Sequence, residues 1–277
     1  MLQKYDKLKS TSLLALAAAG GFAFSPAALA NIPCQASDGY GTALPAYVSE
    51  ATACIKASDL LNAALSDALF DQVNADRQSA DLPTLQRRTS LDQAAAAHAL
   101  DMAERSYAAH TDLENRDHLY RIRAFDRSML FGSTGANVVQ TAASEDAAAL
   151  YAAIKQDSLN AANLVRDGFS DVGIAVAVKD GKAYIVQVFA TVEGELKTQL
   201  PLSLTGSTTI HAEFMDKDSE AVGWGLIDPR TGELVADGKA PRVQSNTFAD
   251  VDTAALDILI STRTGTYVFK GPLVSAD

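Results

Sequence analysis

His110 opens a short stretch of side chains able to move protons or hold a cation: Asp112, Glu114 and His118 follow it closely. An imidazole beside a carboxylate is the pair that general acid/base hydrolysis of peptides or wall polymers requires. The acid must then lie within roughly 3 Å of the reacting group or one water away. Histidines and carboxylates are equally the donor set of a divalent-cation site. Nothing in the spacing enforces either use. His98 belongs to a different context, the apolar stripe Leu91, Ala95, His98 and Met102, and reads as a hydrogen-bonded core histidine rather than a ligand. No Gly-x-Ser-x-Gly elbow marks a serine nucleophile.

The first residues set the compartment in which such chemistry would run. Lys4, Lys7 and Lys9 precede an apolar run from Leu13 to Phe24 that ends near Ala28-Leu29-Ala30, the pattern of a secretory signal cleaved after about Ala30. The run is too short to span a bilayer, and no later stretch approaches the roughly 20 apolar residues required. A secreted or periplasmic protein without a transmembrane segment is expected. Cys34 and Cys54, the two cysteines of the chain, fit that compartment as a structural disulfide. Closing a loop of that size is worth about 3 kcal/mol in the chain-entropy treatment. A metal role for the two is disfavoured, because no histidine stands near them.

Charge narrows the partners. Removing Lys4, Lys7, Lys9 and Asp6 with residues 1–30 moves the net charge from −11 to −13, which argues against nucleic acid and anionic membranes as ligands. Apolar residues make up 48% of the chain, enough for a sizeable core.

The elements that must position His110 can be read from periodicity. Residues 31–57 read as a loop-rich segment, with Asp38-Gly39-Tyr40-Gly41 and Pro45 as punctuation. A helix is expected from near Ser58-Asp59, carrying Leu61, Leu65, Leu69 and Val73 on one face and stopping before Asp81-Leu82-Pro83. A second runs from about Ser90 to Arg105, and a third begins at Ser144 as its cap. Val172, Ile174, Val176 and Val178 alternate as a strand, Asp180-Gly181 turns the chain, and Tyr184 to Phe189 returns, which is a hairpin. Helices ahead of a hairpin imply an α+β fold, a three-layer α/β/α sandwich around an antiparallel sheet. From residue 198 the pattern changes to short strand-like runs: Thr208 to Phe214, Ala221 to Ile227, Leu256 to Ser261 and Thr266 to Lys270. Asp228-Pro229-Arg230-Thr231-Gly232 is a turn, and Trp224 is expected inside a small core. The expected organisation is therefore a signal over 1–30, a loop-rich segment over 31–57, the α/β/α domain over 58–197 and a small β-rich module over 198–277.

Within that domain the order of short motifs resembles the CAP superfamily of SCP-like extracellular domains. Asn74 and Arg77 match its Asn-x-x-Arg helix, Ala95 to Met102 its bacterial A-x-x-H-A-x-D-M helix, and Tyr107-Ala108-Ala109-His110 the Y-F-S-H end. Gly135-Ala136-Asn137-Val138 is similar to Gly-Glu-Asn-Ile, and Asp157 to Leu164 to S-P-G-H-R-x-N-I. The resemblance spans about residues 60–192. It implies a cleft beside His110, in which cation-binding relatives gather two histidines and one or two glutamates. Ala136 stands where that glutamate would be and Asn160 where the second histidine would be. Neither can replace the lost ligand well, so no metal and no cofactor is expected.

The function expected is an exported, non-catalytic binding protein of the cell envelope. Its cleft is expected to involve His110, Asn137, Asn160 and Glu114, with a small hydrophobic, peptide or wall-derived ligand. One alternative is a hydrolase built on His110 with Glu114 or Asp112. The other is a vestigial cleft, with the carboxy-terminal β module recognising a protein partner.

Overall fold

The computed structural model describes residues 36–245 and 251–276. The expected signal and Cys34 lie outside these residues. Alternation along two strands makes the layers. β3 (Asp171–Lys179) and β4 (Lys182–Leu196) pair antiparallel through the expected turn, with Asp180 and Gly181 both at positive φ. Ile174, Val176, Ile185 and Phe189 point to one face and Ala175, Ala177, Val186 and Val188 to the other, and each set is buried in a separate core. The first face is covered by α2 (Ala63–Ser79), α5 (Ala147–Lys155) and α6 (Ser158–Leu164). The second is covered by α1 (Leu44–Ala57), α3 (Thr89–Arg105) and α4 (His118–Phe125). The fold is thus an α/β/α sandwich on a mostly antiparallel sheet. Among the described residues no helix is long and apolar enough to cross a membrane.

Four local expectations are corrected. Residues 44–57 are helical, because Pro45 sits in the first turn, where its missing N–H costs nothing, and Leu44, Tyr47, Ala51 and Cys54 bury one face. α2 starts at Ala63, because Asn62 caps it through Leu65 N–H (3.0 Å), while Leu60 and Asn62 hydrogen-bond to Val178 and Val176 of β3. α5 is capped by Asp146, whose carboxylate accepts from Ala148 N–H (2.9 Å). His118, expected in the loop that follows His110, instead begins a helix, with Asp117 as its cap.

The sheet continues past the sandwich. Its order is β1 (Gln86–Arg87), β3, β4, β2 (Met129–Ala142), β12 (Gly265–Ala276), β11 (Thr253–Thr262), β8 (Glu220–Ile227) and β9 (Leu234–Gly238), with β5 (Ser203–Leu204) beside β12 and β7 (Ala212–Phe214) beside β4, while β6 (Ser207–Thr209) and β10 (Arg242–Gln244) pair separately. β12 touches β2 at a single register pair, Lys270 with Phe131. Around that junction Leu130, Trp224, Leu256, Ile258 and Val274 form a third core. Trp224 is buried as expected and donates its indole N–H to Ala240 O (2.7 Å). The Asp228–Gly232 turn closes with Gly232 N–H on Asp228 O (2.8 Å). Arg127 ties the junction by donating to Leu200 O and Leu273 O (3.0 and 2.6 Å), and burial pushes its pKa down to about 10.

Candidate functional site: a cleft at the outer edge of the sheet

His110 and His118 are brought to one side of a cavity of about 590 Å³, and Asn160, Asn163 and Arg166 to the other, with Ala136 and Val138 between them. Each wall has its own support. The chain between α3 and α4 has no regular structure, and it turns at Ser106 and Asn115 through positive φ. It is held by charge. Arg105 forks onto Asp101 (2.7 Å) and Glu114 (2.5 and 2.7 Å), and Arg116 binds Asp112 (2.7 Å), Glu114 (2.9 Å) and Gly41 O (3.0 Å). Arg121, wholly buried, donates to Arg116 O and His110 O (2.5 and 2.8 Å), which fixes the backbone that presents the His110 ring.

The opposite wall rests on α6 and the turn after it. Asp157 caps the helix through Leu159 and Asn160 N–H (2.8 and 3.0 Å), so its carboxylate is occupied although it borders the cavity. Arg77 reaches from α2 to donate to Pro83 O, Leu164 O, Arg166 O and Phe169 O, which sets the course of the chain that carries Arg166. Beneath the cavity, Asn137 donates to Asn160 O (3.1 Å) and Gln187 Oε1 (2.9 Å) and accepts from Asn163 (2.9 Å). Asn137 is thus a buried tie between β2, β4 and α6, and it does not line the cleft.

Of the four residues expected at the cleft, His110 and Asn160 line it and Asn137 underpins it. Glu114 lies in the arginine network instead, where the hydrogen bonds and charge of Arg105 hold its pKa below the usual carboxylate range. His118 lines the cavity with its Nε2 3.3 Å from Thr134 Oγ1. Burial, with Arg121 and His110 nearby, lowers its pKa below 6.5, while Asp117 opposes the shift. Leu159, Asn163 and Arg166 join the lining beyond the expected set. Leu159 and Asn163, four residues apart on α6, share one helical face, which is a legible signal, and Arg166 follows in the turn after it. His98 is buried, with Nε2 bonded to Ala109 O (2.7 Å).

Asp101, Asp112 and Glu114 also lie close enough together to hold an ion. Arg105 and Arg116 already neutralise them. In the cleft, the methyl of Ala136 and the amide of Asn160 do not fit the cation set that the resemblance implies, and no chemistry is routed through a metal here.

Residues 70–191 match the sequence model of the cysteine-rich secretory protein family, CAP. No curated protein matches the chain. Among solved structures it is similar to an outer surface protein of Borrelia burgdorferi, at 18% identity and a TM-score of 0.42 over 47% of this chain and 93% of that one. It is also similar to an extracellular SCP-domain protein of Bacillus anthracis, at 23% identity and a TM-score of 0.38 over 46% and 40%. Likenesses this distant carry no argument about the chain's role.

Proposed function

Residues 70–191 are a CAP domain, and from that premise we propose that the protein is an exported, non-catalytic binding protein of the cell envelope whose cleft at His110 holds a small hydrophobic, peptide or wall-derived ligand. The observation that carries this reading is the make-up of the cavity. Ala136, Val138, Leu159 and Ala162 give it an apolar patch and the other six lining side chains are polar or charged, so it offers hydrophobic contact beside several hydrogen-bonding groups. The hydrolase alternative draws its acid from Asp112 or Glu114, and both are committed to arginines. Export is supported by the signal pattern of the first thirty residues and by a cysteine pair suited to an oxidising compartment.

The test is titration of the purified protein with single-chain fatty acids, short peptides and wall fragments, followed by backbone amide spectra. His110→Ala should weaken a saturable ligand about tenfold without lowering thermal stability. Equal binding by the variant removes His110 from the site, and turnover of any titrant refutes the non-catalytic reading. Intact mass of the exported protein, before and after reduction, should show loss of residues 1–30 and two fewer hydrogens from a Cys34–Cys54 bond. A full-length mass, or free thiols, would count against export or the disulfide.

A further inference from the structure

The cleft floor is an unpaired strand edge. Ala143 N–H donates to Gly181 O (2.9 Å), directly beyond the register pair Ala142 with Lys182. Bonded pairs alternate along an antiparallel ladder, so Thr141, Val139, Asn137 and Gly135 exchange bonds with β4. Ala136, Val138 and Gln140 therefore turn their N–H and C=O groups away from β4. Among the described residues no strand lies on that side, because β12 meets β2 only at Phe131. Asn163 reaches Ala136 O from outside at 3.4 Å, in keeping with this orientation. Ala136 and Val138 are also two of the residues that line the cavity.

Edge strands are usually guarded by charge, proline or a bulge, since an open row of donors and acceptors recruits other strands. From Thr134 to Ala142 there is neither a charged residue nor a proline, and the irregularities of the β2–β4 ladder lie before Thr134. The flanks carry polar groups that can meet a carboxylate: the imidazoles of His110 and His118 on one side and the guanidinium of Arg166 on the other. The Asp157 carboxylate beside them is turned to its own helix, where it accepts from Leu159 and Asn160 N–H.

We propose that the outer edge of β2 from Ala136 to Gln140 accepts an extended peptide as an added strand, main chain to main chain, with an acidic side chain of the peptide facing His110, His118 and Arg166. This rests on the reading of the cleft as a ligand site and names the ligand class. Backbone pairing supplies the affinity, and the Arg166 guanidinium with the two imidazoles the selectivity.

The experiment pans a phage-displayed library of random short peptides on the full exported protein. Recovered sequences are resynthesised with and without N-methylation at alternate amides. Acidic, β-branched peptides should be recovered. N-methylation should cost at least about tenfold in affinity, and bound peptide should protect the Ala136, Val138 and Gln140 amides from hydrogen exchange. Val138→Pro and Gln140→Pro each remove an outward N–H that makes no bond to β4. Each should abolish binding, and the second, at an exposed position near the strand's end, keeps the test open if the first misfolds. No recovered peptide, equal binding of the N-methylated form, or unprotected amides overturns the proposal. So does a concentration-dependent dimer lost in Gln140→Pro, which would assign the edge to a second copy. If His110→Ala destroys binding and Val138→Pro and Gln140→Pro do not, edge pairing fails while the cleft stands. If none of the three changes binding, both fall.

Discussion

The imidazole of His98 bonds through Nε2 to Ala109 O, and its Nδ1 is buried with no partner. Burial, reinforced by Arg121, holds its pKa well below 6.5. The sign of the consequence is fixed by proton counting. Below pH 6.5 the unfolded chain takes up a proton that folded His98 refuses, so stability is complete above that pH and declines as the solution is acidified. For one such group the loss is about 1 kcal/mol at pH 5.5. His98→Gln keeps a donor for Ala109 O and removes the titration. Chemical denaturation at pH 7 and 5.5 should show the acid-side loss shrink by about 1 kcal/mol, and an unchanged loss would assign it to other groups. His118 shifts in the same direction, so part of the dependence should persist in the variant.

Among the elements, α3 lies closest to the sheet, and one glycine permits it. A Cβ at Gly173 would run into the backbone of Leu91 and Asp92, where Asp92 Oδ1 also accepts from Ile174 N–H (2.9 Å). Gly173→Ala should therefore cost about 4 kcal/mol or more, because neither backbone can yield. A melting curve close to that of the parent would contradict this packing. α3 and the hairpin are legible because their apolar residues keep strict periods of 3.6 and 2. α1 is readable too, from Leu44, Tyr47, Ala51 and Cys54, but Pro45 and the glycines ahead of it mask that period with the marks of a loop. β2 leaves little trace: Gly132, Gly135 and Asn137 interrupt its alternation, and what makes it a strand is β4 beside it. The cleft is legible in the same measure. His110 and Asn160 can be placed there from motif order, whereas the engagement of Glu114 by two arginines depends on side chains meeting across a turn that no local pattern encodes.

At the scale of the whole molecule, the division at residue 197 that composition suggests meets a sheet that runs on through it. Leu130 belongs to the core beyond the junction, Arg123 on α4 pairs with Asp257 on β11, and Arg127 donates to Leu273 O. We expect a chain ending at residue 197 to leave these groups unpartnered and one face of β2 bare. It should melt far below the full chain or aggregate on expression. A soluble fragment with an unchanged melting temperature would establish the two parts as independent. The place of β12 also bears on how the protein is made. This strand, translated after every other member of the sheet, ends up in its interior between β2 and β11, so synthesis cannot finish the middle of the sheet as it goes. The nascent polypeptide must wait, open and threadable, until its final hairpin is free to slot home.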